Sequence, residues 1–222
     1  MSLPFPVILI TSPEDFADEH VLIEAMFCRG LERLHLRKPG KDERAMEKWL
    51  FELDPEVREK VVVHGHASLV EAFGLAGSHG TPSSHSISLH SIPELWSQTE
   101  RREYAFLSPI FDSLSKTGYS AGFLPGELRM GILAWRERLP RLVQNLYALG
   151  GVDAENLASI VDLDFDGAAV LGAVWNASDP LAAWDSIQVA RHQVVDLHAP
   201  TLPPIESWRE RLLKRRGDVN DF

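Results

Sequence analysis

Tyr104-Ala-Phe-Leu-Ser-Pro-Ile-Phe-Asp-Ser-Leu-Ser-Lys-Thr-Gly-Tyr119 is the stretch on which the reading of this chain turns. Its apolar start, Tyr104 to Leu107, has the character of a buried strand and stops at Ser108-Pro109. The chain then opens into a loop that carries Asp112, Ser113, Ser115 and Lys116. A buried strand that feeds a loop of hydroxyls and one ammonium is the layout by which a parallel α/β fold presents its chemistry.

Working outward, the same alternation recurs. Pro6 to Thr11, Leu31 to Arg37 and Lys60 to His64 are short apolar or β-branched runs, each ended by a turn signal. Behind them, Glu14 to Arg29, Lys41 to Leu53 and Ala67 to Phe73 have helical spacing. The pattern weakens between Gly74 and Leu89. A very short strand there meets the next one, His85 to Leu89, with no amphipathic helix between, so one crossover helix is expected to be reduced to a turn. Ile92 to Glu100 reads as a helix with Ser91 as its N-cap.

After the central strand, Gly126 to Arg138 is helical and Asn145 to Leu149 is a strand ending in Gly150-Gly151. Asn156 to Val161 is a short helix, Gly167 to Leu171 a buried strand, Gly172 a turn, and Pro180 to about Val195 a closing helix. About eight strands alternating with helices in 222 residues predict an α/β fold. We expect a single-domain (β/α)8 TIM barrel over 1–198 with a C-terminal tail over 199–222. An open doubly wound sheet is the alternative, and it too places ligands at the C-terminal ends of its strands.

Composition narrows the function. The chain is 45% hydrophobic and 24% charged, enough apolar material for a full core. A formal net charge of −10 argues against nucleic acid or an anionic membrane as partner. The lone Cys28 excludes an internal disulfide and a thiolate zinc cluster, which fits a reducing compartment; its apolar helical setting predicts core packing. Met1 to Pro6 lacks the features of a leader, so a cytoplasmic location is expected.

The strand ends of a barrel converge on one face. Those ends are His35, Arg37 and Lys38; His64 and His66; His79; Ser88 and His90; Asp112 to Lys116; Gly150 and Gly151; and Leu171 and Gly172. The set is basic and glycine-rich, which suits a ligand with one or two phosphates. Gly150-Gly151 is either a tight turn or, with Gly172, a phosphate cradle. Arg37 and Lys38 are either anion contacts or a solvated strand end. Ser113, Ser115 and Lys116 are either a clamp on a leaving anion or an ordinary polar loop. His64 and His66, two apart in an extended segment, can share a face and with His79 or His90 offer imidazoles to a transition metal. No strong metal spacing accompanies them, so no metal site is assigned.

These strand ends carry a resemblance. Ser108-Pro-Ile-Phe-Asp-Ser-Leu-Ser-Lys116 is similar to the Gly-Pro-Ile-Phe-x-Thr-x-Thr-Lys loop of the thiamine phosphate synthase family and its TenI-like relatives. Ala148-Leu-Gly-Gly-Val152 with Asn156, Gly167 to Trp175, Leu34-His-Leu-Arg-Lys38 and Ile87-Ser-Leu-His-Ser91 resemble further motifs of that family, in the same order. The resemblance implies a (β/α)8 barrel that joins hydroxymethylpyrimidine diphosphate to thiazole phosphate with release of pyrophosphate. By position, Arg37 and Lys38 would contact the diphosphate. Ser88, Ser113, Ser115 and Lys116 would steady the leaving pyrophosphate, and His35, Gly150, Gly151, Leu171 and Gly172 would bind substrate and its phosphate.

The resemblance also implies Mg²⁺, but the usual ligands are replaced by His64-Gly65 and by Gly80-Thr-Pro-Ser83. Mg²⁺ prefers oxygen to imidazole. The alternatives are a TenI-like thiazole tautomerase, with His35, His64 or His90 as acid or base, and a protein that binds thiazole phosphate without turnover. A homodimer is compatible with any of them.

Overall fold

The computed structural model describes residues 5–111, 123–137 and 142–195. Val7–Ile10 (β1) is buried along its whole length, as a run of four aliphatic residues in a two-sided strand requires. It is followed by Glu19–Phe27 (α1), Leu34–Leu36 (β2), Glu43–Phe51 (α2), Pro55–Arg58 (α3), Val61–His64 (β3), Ser68–Phe73 (α4) and Gly77–His79 (β4). Then come Ser86–Leu89 (β5), Ile92–Trp96 (α5), Arg102–Leu107 (β6), Pro125–Glu137 (α6), Val143–Leu149 (β7), Leu157–Asp162 (α7), Gly167–Val170 (β8), Gly172–Trp175 (α8) and Pro180–Val195 (α9).

Each strand pairs in parallel with the next, and β8 returns to β1 through Val7 opposite Ala168 and Leu9 opposite Val170. The sheet closes into an eight-stranded barrel, the predicted (β/α)8 fold. An open sheet would have left β1 and β8 as edges. Local signals set several element ends. Asp42 caps α2 by accepting the Ala45 N–H at 2.8 Å, and Ser91 caps α5 by accepting from Glu94. Among the described residues no helix is long and apolar enough to cross a membrane.

The expected loss of one crossover helix falls between β4 and β5. The only pairing between these strands joins His79, the last residue of β4, to Ser86, the first of β5. The chain therefore need not travel back along a full strand, and a six-residue connection suffices. Arg102, at the start of β6, holds this connection in place. Its buried guanidinium donates to the Ser84 carbonyl at 2.5 Å, to Ser84 Oγ at 3.1 Å and to the Thr81 carbonyl at 3.4 Å, and it pairs with Glu100.

Two sequence expectations are corrected. Cys28 is exposed at the C-terminal end of α1 rather than packed in the core. α1 itself starts at Glu19, five residues later than its periodicity predicts, because 14–18 form the approach to the helix. The predicted tail over 199–222 lies outside the described residues.

The core has two layers. Outward-facing strand residues such as Leu9, Leu34, Val61 and Val63 pack beneath the helices. Inside the barrel, Ile8, Ile10, Phe106, Tyr147 and Ala169 form a smaller apolar cluster with Tyr104. At the opposite end of the barrel from the strand termini, Arg191 of α9 is fully buried. It donates Nε–H to the Phe5 carbonyl at 2.6 Å and an Nη1–H to the Gly30 carbonyl at 3.3 Å, which ties the closing helix to the lead-ins of β1 and β2.

Candidate active site

The alternation of strand side chains decides what meets inside the barrel. Leu34 and Leu36 of β2 face the helices, so His35 between them faces inward. By register His35 lies opposite Val62, and His64, two residues on, lies opposite His79 of β4. The next strands add Ser86 and Ser88, and Tyr104 pairs with Ser86 from β6. One side of the barrel interior is therefore polar.

These groups form one connected set. Tyr104 Oη is 2.5 Å from His35 Nε2, and His35 Nδ1 is 2.9 Å from His64 Nε2. His79 Nδ1 is 2.8 Å from Ser86 Oγ, and its Nε2 is 3.0 Å from Ser88 Oγ. The His64 and His79 rings lie 4.2 Å apart, centroid to centroid. His35 is fully buried and His79 nearly so, while His64 is partly open to the barrel mouth.

Burial holds all three imidazoles neutral. Desolvation is the main cause each time: it pushes His35 well below its ordinary value, His64 down to about 3 and His79 down to about 4. The neighbouring imidazoles add to the effect on His35 and His64, and Arg37 lowers both His64 and His79. Burial likewise raises Tyr104, so it stays a neutral phenol that can either donate or accept.

Other predicted site residues are placed differently. Arg37 is exposed, with its backbone pinned by Thr11: its N–H donates to Thr11 Oγ1 at 2.9 Å, and that hydroxyl donates to the Arg37 carbonyl at 3.0 Å. Lys38, expected at the same anion, turns away into the helix layer. Its buried ammonium pairs with Glu19 at 2.7 Å and donates to the Glu14 carbonyl at 2.8 Å. His66 does not share a face with His64, because the extended segment ends at His64. Gly65 and His66 adopt positive φ, and His66 Nε2 turns to the Lys41 carbonyl at 3.3 Å. His90 is exposed, and its Nδ1 lies 3.1 Å from the Ser108 carbonyl, apart from the imidazole cluster. Asp112, Ser113, Ser115 and Lys116 lie outside the described residues.

The turn after β7 serves packing as well as any ligand. Gly150 has φ 94°, and a Cβ there would come within 2.9 Å of Pro109 Cα. The Phe111 N–H donates to the Gly150 carbonyl at 3.1 Å, so residues 109–111 run beside this turn. Asn156 Nδ2 donates to the Gly151 carbonyl at 2.7 Å and braces it from the other side. Leu171 and Gly172 follow β8 and open the short α8, whose Trp175 donates Nε1–H to the Ile10 carbonyl at 2.7 Å. A cleft of about 590 Å³ between α1 and α2 is bordered by Asp15, His20, Lys41 and Trp49.

The structure of a thiamine phosphate pyrophosphorylase from Bacteroides thetaiotaomicron superposes on this chain with a TM-score of 0.70 and 30% identity, covering 88% of this chain and 100% of that one. This chain belongs to the thiamine phosphate pyrophosphorylase family. A second thiamine phosphate pyrophosphorylase, from Pyrococcus furiosus, matches at 15% identity and a TM-score of 0.66 over 87% of this chain and 98% of that one, which shows the shared barrel. A geranylgeranylglyceryl phosphate synthase from Thermoplasma acidophilum matches in fold at 12% identity and a TM-score of 0.51, over 86% and 94% of the two chains. No family model matches the sequence, and no curated protein does.

The resemblance implies Mg²⁺ at the ends of β3 and β4, yet the group of potential metal ligands among the described residues is His35, His64 and His79, with no carboxylate in it. Three neutral imidazoles do not fit Mg²⁺, which takes oxygen donors in near-octahedral geometry. Sequence reading named His35, His64, His79 and Ser88 and offered His79 as one metal partner of His64, but it did not bring His35 to them, and it missed Tyr104 and Ser86. The signal was present in the alternation: His35, His64, Ser86, Ser88 and Tyr104 occupy the inward parity of their strands.

Proposed function

We propose that this protein joins a pyrimidine diphosphate to a thiazole phosphate and releases pyrophosphate, as a divergent member of its family in thiamine biosynthesis. The observation that carries the reading is the 30% identity to a thiamine phosphate pyrophosphorylase across all of that protein. The glycine turn after β7, Gly150-Gly151 with positive φ at both residues, and the Leu171-Gly172 turn beside it after β8 support it, as seats for the thiazole phosphate.

In this reaction a thiazole nitrogen forms a bond to the exocyclic carbon of the pyrimidine. The carbon–oxygen bond to the diphosphate breaks, and its electron pair leaves with pyrophosphate. Catalysis therefore depends on holding the departing negative charge. In this reading Arg37 reaches the diphosphate from the end of β2, and Ser88, oriented by His79, donates to a leaving oxygen. The family resemblance assigns Ser113, Ser115 and Lys116 to the same leaving group. Lys38, held by Glu19, is a structural residue.

One observation favours a second reading. The chain from Tyr104 through His35 to His64 is a ready path for a proton, which suits a tautomerase that isomerises thiazole phosphate alone. A turnover assay with both substrates and with each alone, following pyrophosphate and isomerised thiazole phosphate, tests the two. Pyrophosphate release that collapses in Lys116→Ala supports the synthase. Isomerisation without the pyrimidine substrate supports the tautomerase. Saturable thiazole phosphate binding with no turnover overturns both and leaves a binding protein.

A further inference from the structure

We propose that His35, His64 and His79 form a binding site for a divalent transition metal, with Zn²⁺ as the reference ion. Three successive strands, β2, β3 and β4, each deliver one imidazole to the barrel mouth, and one potential ligand atom from each lies within 4.8 Å of the others. At a Zn–N bond of about 2.0–2.1 Å, tetrahedral ligands stand about 3.3 Å apart. The His35 Nδ1 to His64 Nε2 separation of 2.9 Å needs to open by only a few tenths of an ångström. The ligand atom of the third imidazole, within 4.8 Å of both, has up to about 1.5 Å to close.

The supporting groups are those a metal site uses. A ligating histidine gives its other ring N–H to an oxygen, which orients the ring and strengthens the donor. Tyr104 Oη stands 2.5 Å from His35 Nε2, so that nitrogen can donate while Nδ1 turns to the metal. Ser86 Oγ holds the same relation to His79 Nδ1 at 2.8 Å, and Nε2, which stands 3.0 Å from Ser88 Oγ, would exchange that hydroxyl for the metal. Burial keeps the rings neutral, as a ligand must be. Three histidines selected over carboxylates disfavour Mg²⁺ and favour Zn²⁺ and its neighbours, and three protein ligands leave a position for an exogenous one.

Arg37 is near enough to act on His64 and His79, so a dication adds positive charge to a basic mouth. An anionic ligand at the open position balances it. On the synthase reading that ligand is the diphosphate, whose leaving charge the metal would neutralise.

The test is titration calorimetry on chelator-stripped full-length protein with ZnCl2 and, separately, MgCl2, together with the visible spectrum of the Co²⁺ form. We expect a single Zn²⁺ bound and no Mg²⁺ heat. His64→Asn and His79→Asn should weaken Zn²⁺ by more than the roughly 10- to 100-fold that supporting residues contribute, and Tyr104→Phe by an amount within that range. His66→Ala should bind as wild type, and the Co²⁺ bands should vanish in His64→Asn. Far-UV circular dichroism identifies variants that keep the fold, and His64, partly open to the mouth, is the substitution best placed to do so. Absence of zinc binding in folded wild type, or equal binding in folded His64→Asn, overturns the proposal. Full pyrophosphate release in chelator with no zinc bound removes the metal from the reaction and leaves the synthase. Stoichiometric zinc with no pyrophosphate release does the reverse.

Discussion

His35 Nδ1 stands 2.9 Å from His64 Nε2. Both rings are neutral, so one of these nitrogens carries the proton and the other accepts it. With Tyr104 donating to His35 Nε2, His35 Nδ1–H donates to His64, and the proton of His64 lies on Nδ1. With His35 Nε2–H donating to Tyr104 instead, the lone pair of Nδ1 faces inward. The state of one buried phenol thus sets whether the mouth presents a proton path or a metal ligand.

Tyr104→Phe separates structural from chemical roles at this point. It leaves His35 Nε2 without its oxygen partner and should cost about 1–3 kcal/mol of stability, read from urea unfolding. If the tautomerase reading holds, isomerisation of thiazole phosphate should fall by roughly 100-fold or more, since a positioned proton-transfer group contributes at least that much. Unchanged isomerisation in a folded Tyr104→Phe protein would remove the relay from the mechanism.

Acid should destabilise the metal-free protein through the same cluster. His64 and His79 titrate at about 3 and about 4 when folded, against an ordinary 6.5, so the unfolded chain binds more protons in between. Stability that is fully present above about 6.5 is therefore lost as pH falls through that window toward about 3. The rings titrate as a coupled set, so a broad decline in urea midpoint is expected rather than separate steps. His64→Asn should make the decline shallower, and an equal slope in that variant would show that other groups govern it.

Lys38→Met tests the structural assignment of that lysine. It strands the Glu19 carboxylate, which keeps the Ser12 N–H at 3.2 Å and Trp49 Nε1–H at 3.2 Å but loses its cation. A loss of about 3–5 kcal/mol is expected, as for breaking a buried ion pair from one side. Combining Lys38→Met with Glu19→Leu should recover much of it. A raised substrate KM with normal stability would instead return Lys38 to the anion site.

Arg191→Leu should loosen the barrel at the end remote from the chemistry. Loss of the bonds to the Phe5 and Gly30 carbonyls, at about 1.5 kcal/mol each for a charged donor, predicts about 3 kcal/mol of destabilisation. The effect should appear in thermal unfolding, with zinc affinity at saturating fold unchanged.

The chain itself determined the alternation of strands and helices. The strand runs, their turn signals and the closing helix Pro180–Val195 are local properties, written in apolar runs and period, and even the absent helix between β4 and β5 showed as missing periodicity. Gly150 and Gly151 could be marked as a turn because only glycine takes their positive φ without strain. What sequence alone did not decide was which strand-end residues meet. Lys38 and Arg37 are neighbours, yet one ends in the helix layer against Glu19 and the other stays at the exposed mouth, because successive residues leave a strand on opposite faces. His64 and His66 looked paired by spacing, but the chain turns at Gly65, and the partners of His64 are His35, from twenty-nine residues earlier, and His79. Those pairings depend on strand register and barrel closure, which only the folded chain sets.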